Sequence, residues 1–129
     1  MKKCFLILLV TQTLNSPCFA QSHPDTTFHG KGWMNSLLVD SNSGIKYVLD
    51  SSRTFITAYK KNGKILWRTN PQKENNIKLF MYSDSSIYYF YFYSDKSTGN
   101  IEQILIAYGN SYEGFINKKT GKFTFFGQD

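Results

Sequence analysis

The feature that most constrains this chain is an alternation of apolar and polar residues at period two, repeated over short runs cut by turn residues. Successive side chains of a strand point to opposite faces. That period therefore suits strands, not helices, whose apolar residues recur at three and four. The runs are Ser36–Asp40, Ile45–Leu49, Thr54–Tyr59, Lys64–Arg68, Ile77–Tyr82, Ser86–Ser94, Ile101–Tyr108, Tyr112–Asn117 and Lys122–Phe126. Turn residues separate them: Ser41-Asn42-Ser43-Gly44, Asp50–Arg53, Asn62-Gly63, Ser83-Asp84-Ser85 and Thr98-Gly99. Asn62-Gly63 is the strongest of these signals, because the left-handed turn it makes matches the twist of its flanking strands. Asn70–Asn76 reads as a polar loop, and no window reads as a helix. The expectation is an all-β chain, with one small antiparallel domain of about eight or nine strands over residues 33–129.

The first twenty residues read as a cleaved signal peptide. Lys2 and Lys3 form a basic start, Phe5–Val10 an apolar run, and Pro17 a break. Cys18 and Ala20 then place small residues at −3 and −1 of a cut after Ala20. The apolar run is shorter than the roughly 20 residues that span a membrane. Asn15-Ser16-Pro17 is a poor match to the small apolar run that precedes a lipid-bearing cysteine. A periplasmic or secreted location follows, with no transmembrane segment in the mature chain. Both cysteines, Cys4 and Cys18, leave with the signal, so the mature chain has neither disulfide nor thiol chemistry. Its core rests on aromatic burial, drawn from 9 Tyr and from the 11 Phe of the whole sequence less Phe5 and Phe19. Residues 21–32 are polar and aperiodic and read as a flexible lead-in.

A weak repeat organises the rest. Lys60-Lys61-Asn62-Gly63-Lys64 and Lys118-Lys119-Thr120-Gly121-Lys122 share the pattern Lys-Lys-x-Gly-Lys. Each is followed by an aromatic-bearing strand, Ile65-Leu66-Trp67 or Phe123-Thr124-Phe125-Phe126. Two similar meanders of about four strands follow, packed as a β-sandwich or curled into a barrel. Trp67 is expected in the core, with Phe123 and Phe125 in the equivalent place. The segment Ala58–Trp67 resembles a single repeat of quinoprotein-type propellers, whose motif ends in Gly-Lys-x-x-Trp. The second copy has Phe where that Trp stands. A propeller takes typically 4–8 blades, and this chain has room for two. The likeness is read as shared hairpin chemistry.

Catalytic patterns are missing from the sequence. It has no His-Glu-x-x-His, no Gly-x-Ser-x-Gly and no phosphate-binding glycine loop. Ser111 lies among glycines at the wrong spacing for a nucleophile elbow. His23 and His29, with Asp25 between them, fall in the lead-in, where no rigid element would hold a metal. Glu102 and Glu113 invite comparison with a glycosidase pair, whose carboxylates sit about 5–9.5 Å apart. A turn at Gly109–Ser111 would pair Glu113 near Ala107 and leave Glu102 too far down its strand. No cofactor is expected.

Surface chemistry points instead to binding. In Ser86–Ser94 one face carries Ile87, Tyr89, Tyr91 and Tyr93, and the other Tyr88, Phe90 and Phe92. Read as a central strand, it buries Phe90 and Phe92 and half-buries its tyrosines. Read as a site, Tyr89, Tyr91 and Tyr93 form a ladder of large, stiff, hydrogen-bonding side chains of the kind enriched at binding hot spots. Read as turn residues, the tips Lys60, Lys61, Lys64, Lys118, Lys119 and Lys122 keep the hairpin ends soluble and block edge pairing; read as a site, with Arg53 and Arg68 they form a positive rim that would steer an acidic partner. The reading is a non-enzymatic exported protein that binds a protein partner, most concretely an inhibitor or immunity protein that blocks a secreted toxin. Nucleic acid is not expected as a partner, because the chain is exported and has no such motif. The alternatives are a carbohydrate or cell-wall binding module using Trp33, Trp67 or the tyrosines, and a small hydrolase.

Overall fold

The computed structural model describes residues 32–78, 85–109 and 112–128. The segment read as a signal peptide, His23, His29, Ser111 and the turn at Ser83-Asp84 lie outside them, as does most of the strand expected at Ile77–Tyr82. Among the described residues eight strands form two antiparallel sheets. The first contains β1 (Leu37–Val39), β2 (Lys46–Leu49), β3 (Ile56–Tyr59) and β4 (Ile65–Thr69) in that order. The second contains β5 (Ile87–Tyr93), β6 (Gln103–Tyr108), β7 (Tyr112–Ile116) and β8 (Phe123–Gln128), again in chain order. Each sheet keeps two edges, so the alternative of a closed barrel is set aside.

The turns follow from local chemistry. After β1 the Asp40 carboxylate accepts from the backbone N–H of Asn42 and Ser43, and Gly44 takes φ 70°, closing the hairpin. Asp50 plays the same part after β2, accepting from Thr54 and Phe55. Asn62-Gly63 joins β3 to β4 as the sequence predicts, with Gly63 at φ 86°. One correction concerns Asn70–Asn76, which holds a one-turn helix, α1 (Pro71–Glu74). The Asn70 side chain accepts from the Lys73 N–H, while Glu74 reaches back to the Asn70 N–H. These contacts satisfy amide donors that a helix start otherwise leaves unpaired.

The alternation seen in the sequence sorts residues into one core between the sheets. Leu38, Tyr47, Leu49, Ile56 and Ala58 enter it from the first sheet, and Ile87, Phe90, Ile104, Ile106, Tyr108, Ile116 and Phe123 from the second. Trp67 packs against this core, half-buried. Phe123 is buried as expected, but Phe125, opposite Gly114 on edge strand β8, is 49% exposed. β5 is an edge strand, not a central one. Among the described residues its strand neighbour is β6, and the segment before β1 bridges its other side, Trp33 opposite Tyr89.

Candidate binding surfaces

Lys118 sits where the two sheets close on each other. Its backbone carbonyl accepts from Trp67 Nε1 at 2.9 Å and from the Tyr47 hydroxyl at 3.4 Å. Its ammonium lies 2.8 Å from the Asp40 carboxylate, pairs with Glu102, and stands 5.0 Å from the centre of the Phe92 ring. Only 16% of the side chain is exposed. The hydrogen bond from Lys118 holds the Asp40 carboxyl at about 2, despite the opposing effect of burial. Burial would lower the Lys118 value, but the two carboxylates raise it. Lys118 therefore ties β1, β5 and β6 together, and of the expected rim lysines it is the one turned inward. Glu102, read from the sequence as a candidate carboxylate, is its partner. Glu113 stands opposite Ala107, as the turn argument predicts.

The remaining lysines stay exposed and share one end of the molecule. Lys118 and Asp40 join the β7–β8 turn to the β1–β2 turn. The Lys61 side chain lies over Gly44 in that same β1–β2 turn, within 3.4 Å of where a Cβ would sit. Lys60, Lys61 and Lys64 thus stand beside Lys119 and Lys122, all exposed, with exposed Lys96 on the β5–β6 connection at the same end. The carboxylates there among the described residues are Asp40 and Glu102, both paired with Lys118, and Asp95, which accepts from Ser97.

Arg53 and Arg68 lie elsewhere, so the rim expected from the sequence is smaller. Arg53 occupies the β2–β3 turn at the opposite end and donates to the carbonyls of Ile87, Met34 and Asn35. Arg68 is exposed on β4, its guanidinium 4.3 Å from the centre of the Phe55 ring.

The tyrosine ladder lies on the outer face of the second sheet, away from the core. Tyr89, Tyr91 and Tyr93 are all half-buried. Gly32 crosses tightly against the Tyr91 ring, and Trp33 meets Tyr89 edge-on at 5.2 Å, so the N-terminal side of the ladder is covered. Burial pushes the Tyr91 hydroxyl up, and the nearby Glu113 charge adds to this. The open part is a groove of about 410 Å³ beside Tyr93. Tyr93, Leu105, Phe115, Phe126 and Ile101 line it, with Glu113, Asp95, Ser97 and Gln103. Phe115 and Phe126 meet edge-on at 5.3 Å, and Tyr93 and Phe115 lie 5.4 Å apart.

Phe115, Phe126 and Ile101 were not singled out from the sequence. The alternation of β8 already puts Phe126 on the face of Thr124, but its meeting with Phe115 depends on the pairing of β8 with β7. Among the described residues no cluster of three or more His, Cys, Asp or Glu is placed to hold a metal, and no helix is long and apolar enough to cross a membrane. Comparison with known proteins gives no match to a family model, to a curated protein or to a solved structure.

Proposed function

We propose that the chain is an exported, non-enzymatic binding protein of the periplasm or secreted space, which blocks an acidic protein partner through its lysine-bearing end. Its concrete form is an inhibitor or immunity protein directed at a secreted toxin. One observation carries the reading: the exposed lysines of two turns distant in sequence, Lys60, Lys61 and Lys64 with Lys119 and Lys122, stand together at one end, while two of the three carboxylates described there, Asp40 and Glu102, are already paired with Lys118. Unpaired like charges on neighbouring turns repel one another and contribute nothing to folding. They raise the local concentration of an oppositely charged partner and speed encounter.

The test is retention on immobilised mature chain from the secreted and periplasmic fractions of the source cells. The unaltered chain is expected to hold an acidic protein at low salt and release it as salt rises. The Lys61→Glu/Lys64→Glu/Lys119→Glu variant, folded by circular dichroism, is expected to hold none. Equal retention by both chains would contradict the proposal, as would retention of a polysaccharide in place of a protein.

A further inference from the structure

The two sheets stack in the same orientation, not face to face about a two-fold axis. The β1–β2, β3–β4, β5–β6 and β7–β8 turns share one end, so β1 and β5 run the same way. The order across each sheet also agrees. The chain leaves the β5 edge at Trp33 to enter β1, and Tyr47 of β2 lies 5.8 Å from Phe92 of β5. On the far side Trp67 of β4 sits over Gly121 in the β7–β8 turn, within 2.6 Å of where a Cβ would stand.

Sheets related in this way are related by translation, which leaves each outer face equivalent to a face buried in the core. The outer face of the second sheet, with the row Tyr91–Leu105–Phe115, corresponds to the core row Leu38–Tyr47–Ala58 of the first. The outer face of the first sheet corresponds to the core face of the second, and it leaves Leu37, Val39 and Ile65 each at least 50% exposed.

We infer that copies of this chain associate head to tail, the outer face of the second sheet of one copy covering the outer face of the first sheet of the next. The junction inside the chain is the template. Within the chain, Trp67 of β4 packs across the junction on the β7–β8 turn at Gly121. On the outer face of the second sheet the exposed aromatic that a second copy would cover is Phe126, which is 68% exposed. Charge agrees with this pairing, since Glu113 and Asp95 border the groove on one face and Lys46 lies exposed on the other. A contact between two different faces repeats from copy to copy and builds a ring or an open stack. The inference goes beyond the lysine-end reading and stands on different residues, so either can fail alone.

Sedimentation velocity of the mature chain over a concentration series, up to about 1 mM to include weak contacts, tests it. The chain is expected to associate beyond the monomer. Phe126→Asp damages one face and Leu37→Asp the other. Each should weaken association at least about tenfold, the effect of losing a hot spot, with an unchanged circular dichroism spectrum. An equal mixture of the two variants retains one intact pair of faces and should give a heterodimer of twice the monomer mass. Should either variant misfold, Ile101→Lys and Val39→Lys replace it on the same faces. A monomeric unaltered chain overturns the inference. So does loss of association in the Phe126 variant alone, which means two-fold pairing of second sheets, and so does a mixture that stays monomeric.

Discussion

Replacing Lys118 with Met keeps the aliphatic stem and removes the ammonium that joins Asp40, Glu102 and the Phe92 face. Asp40 is 10% exposed, and its carboxyl is held at about 2 against an ordinary 3.8. At about 1.4 kcal/mol per pK unit that difference amounts to about 2–3 kcal/mol. The N–H donors of Asn42 and Ser43 remain in the variant and keep part of it. Water close to the turn screens more of it. The lost contacts to Glu102 and Phe92 act in the other direction. The expected net cost is about 1–2 kcal/mol at pH 7, or about 5–10 °C in melting temperature for a domain of this size.

The pH dependence has a definite sign. A carboxyl held below its ordinary value contributes stability above that value and loses it as pH falls toward the folded value. The Asp40 contribution is therefore lost between about pH 4 and pH 2. Lys118 is raised above its ordinary 10.5, so its contribution is present below that value and lost as the pH rises beyond it. Urea unfolding of the unaltered chain, Lys118→Met and Lys119→Met at pH 7 and near pH 2 reads the difference. Lys119→Met should stay within about 0.5 kcal/mol of the unaltered chain, as exposed substitutions do. The reasoning is refuted if the two variants are equally stable at pH 7, or if the Lys118 deficit is as large near pH 2 as at neutral pH.

Other expectations follow from the same geometry. Gly121→Ala forces a methyl to within 2.6 Å of the Trp67 ring at φ 73° and should cost more than about 2 kcal/mol, whereas Gly63→Ala meets open space and should cost about 1 kcal/mol for its positive φ alone; thermal melts compare them. Trp67→Ala should cost about 3 kcal/mol, since it opens the core and removes the shorter of the two hydrogen bonds to the Lys118 carbonyl, while Phe125→Ala should cost under about 1 kcal/mol because half of that ring is already in water. Mass spectrometry of the exported protein should find Gln21 at its N-terminus, and a lipid on Cys18 would contradict the cleavage reading.

The strands were legible because period two and the Asn-Gly and Ser-Gly turns act locally, and both meanders fall at the expected places. What escaped the sequence was set by tertiary arrangement. Helix α1 is too short to show a period, although Asn70-Pro71 and Glu74 carry its start signal in plain view. β5 reads as a central strand because both its faces are aromatic. Its edge position follows from the sheet order, and its second aromatic face and free side are covered by the chain before β1 returning to bridge Tyr89, which no local pattern announces. The lysine repeat misled in one respect. Lys60 N–H bonds the Lys64 carbonyl, but in the second turn Asn117 N–H bonds the Lys122 carbonyl, so that turn is one residue longer. The repeat aligns Lys118 with Lys60 in sequence, but the hydrogen bonds align Asn117 with Lys60. Lys118 is thereby turned to the carboxylates of Asp40 and Glu102 while Lys60 remains in solvent.

The central claim is that the lysine end meets an acidic partner, and the most direct measurement is the association rate constant of the retained partner as a function of ionic strength. Steering by exposed charge acts over about 8–10 Å at physiological salt. The rate constant should therefore fall steeply as salt is added. Lys61→Glu or Lys119→Glu should slow association about tenfold at low salt, with little change in dissociation. A rate constant that is indifferent to salt and to both charge reversals, in folded protein, would contradict the claim and place the contact on another surface.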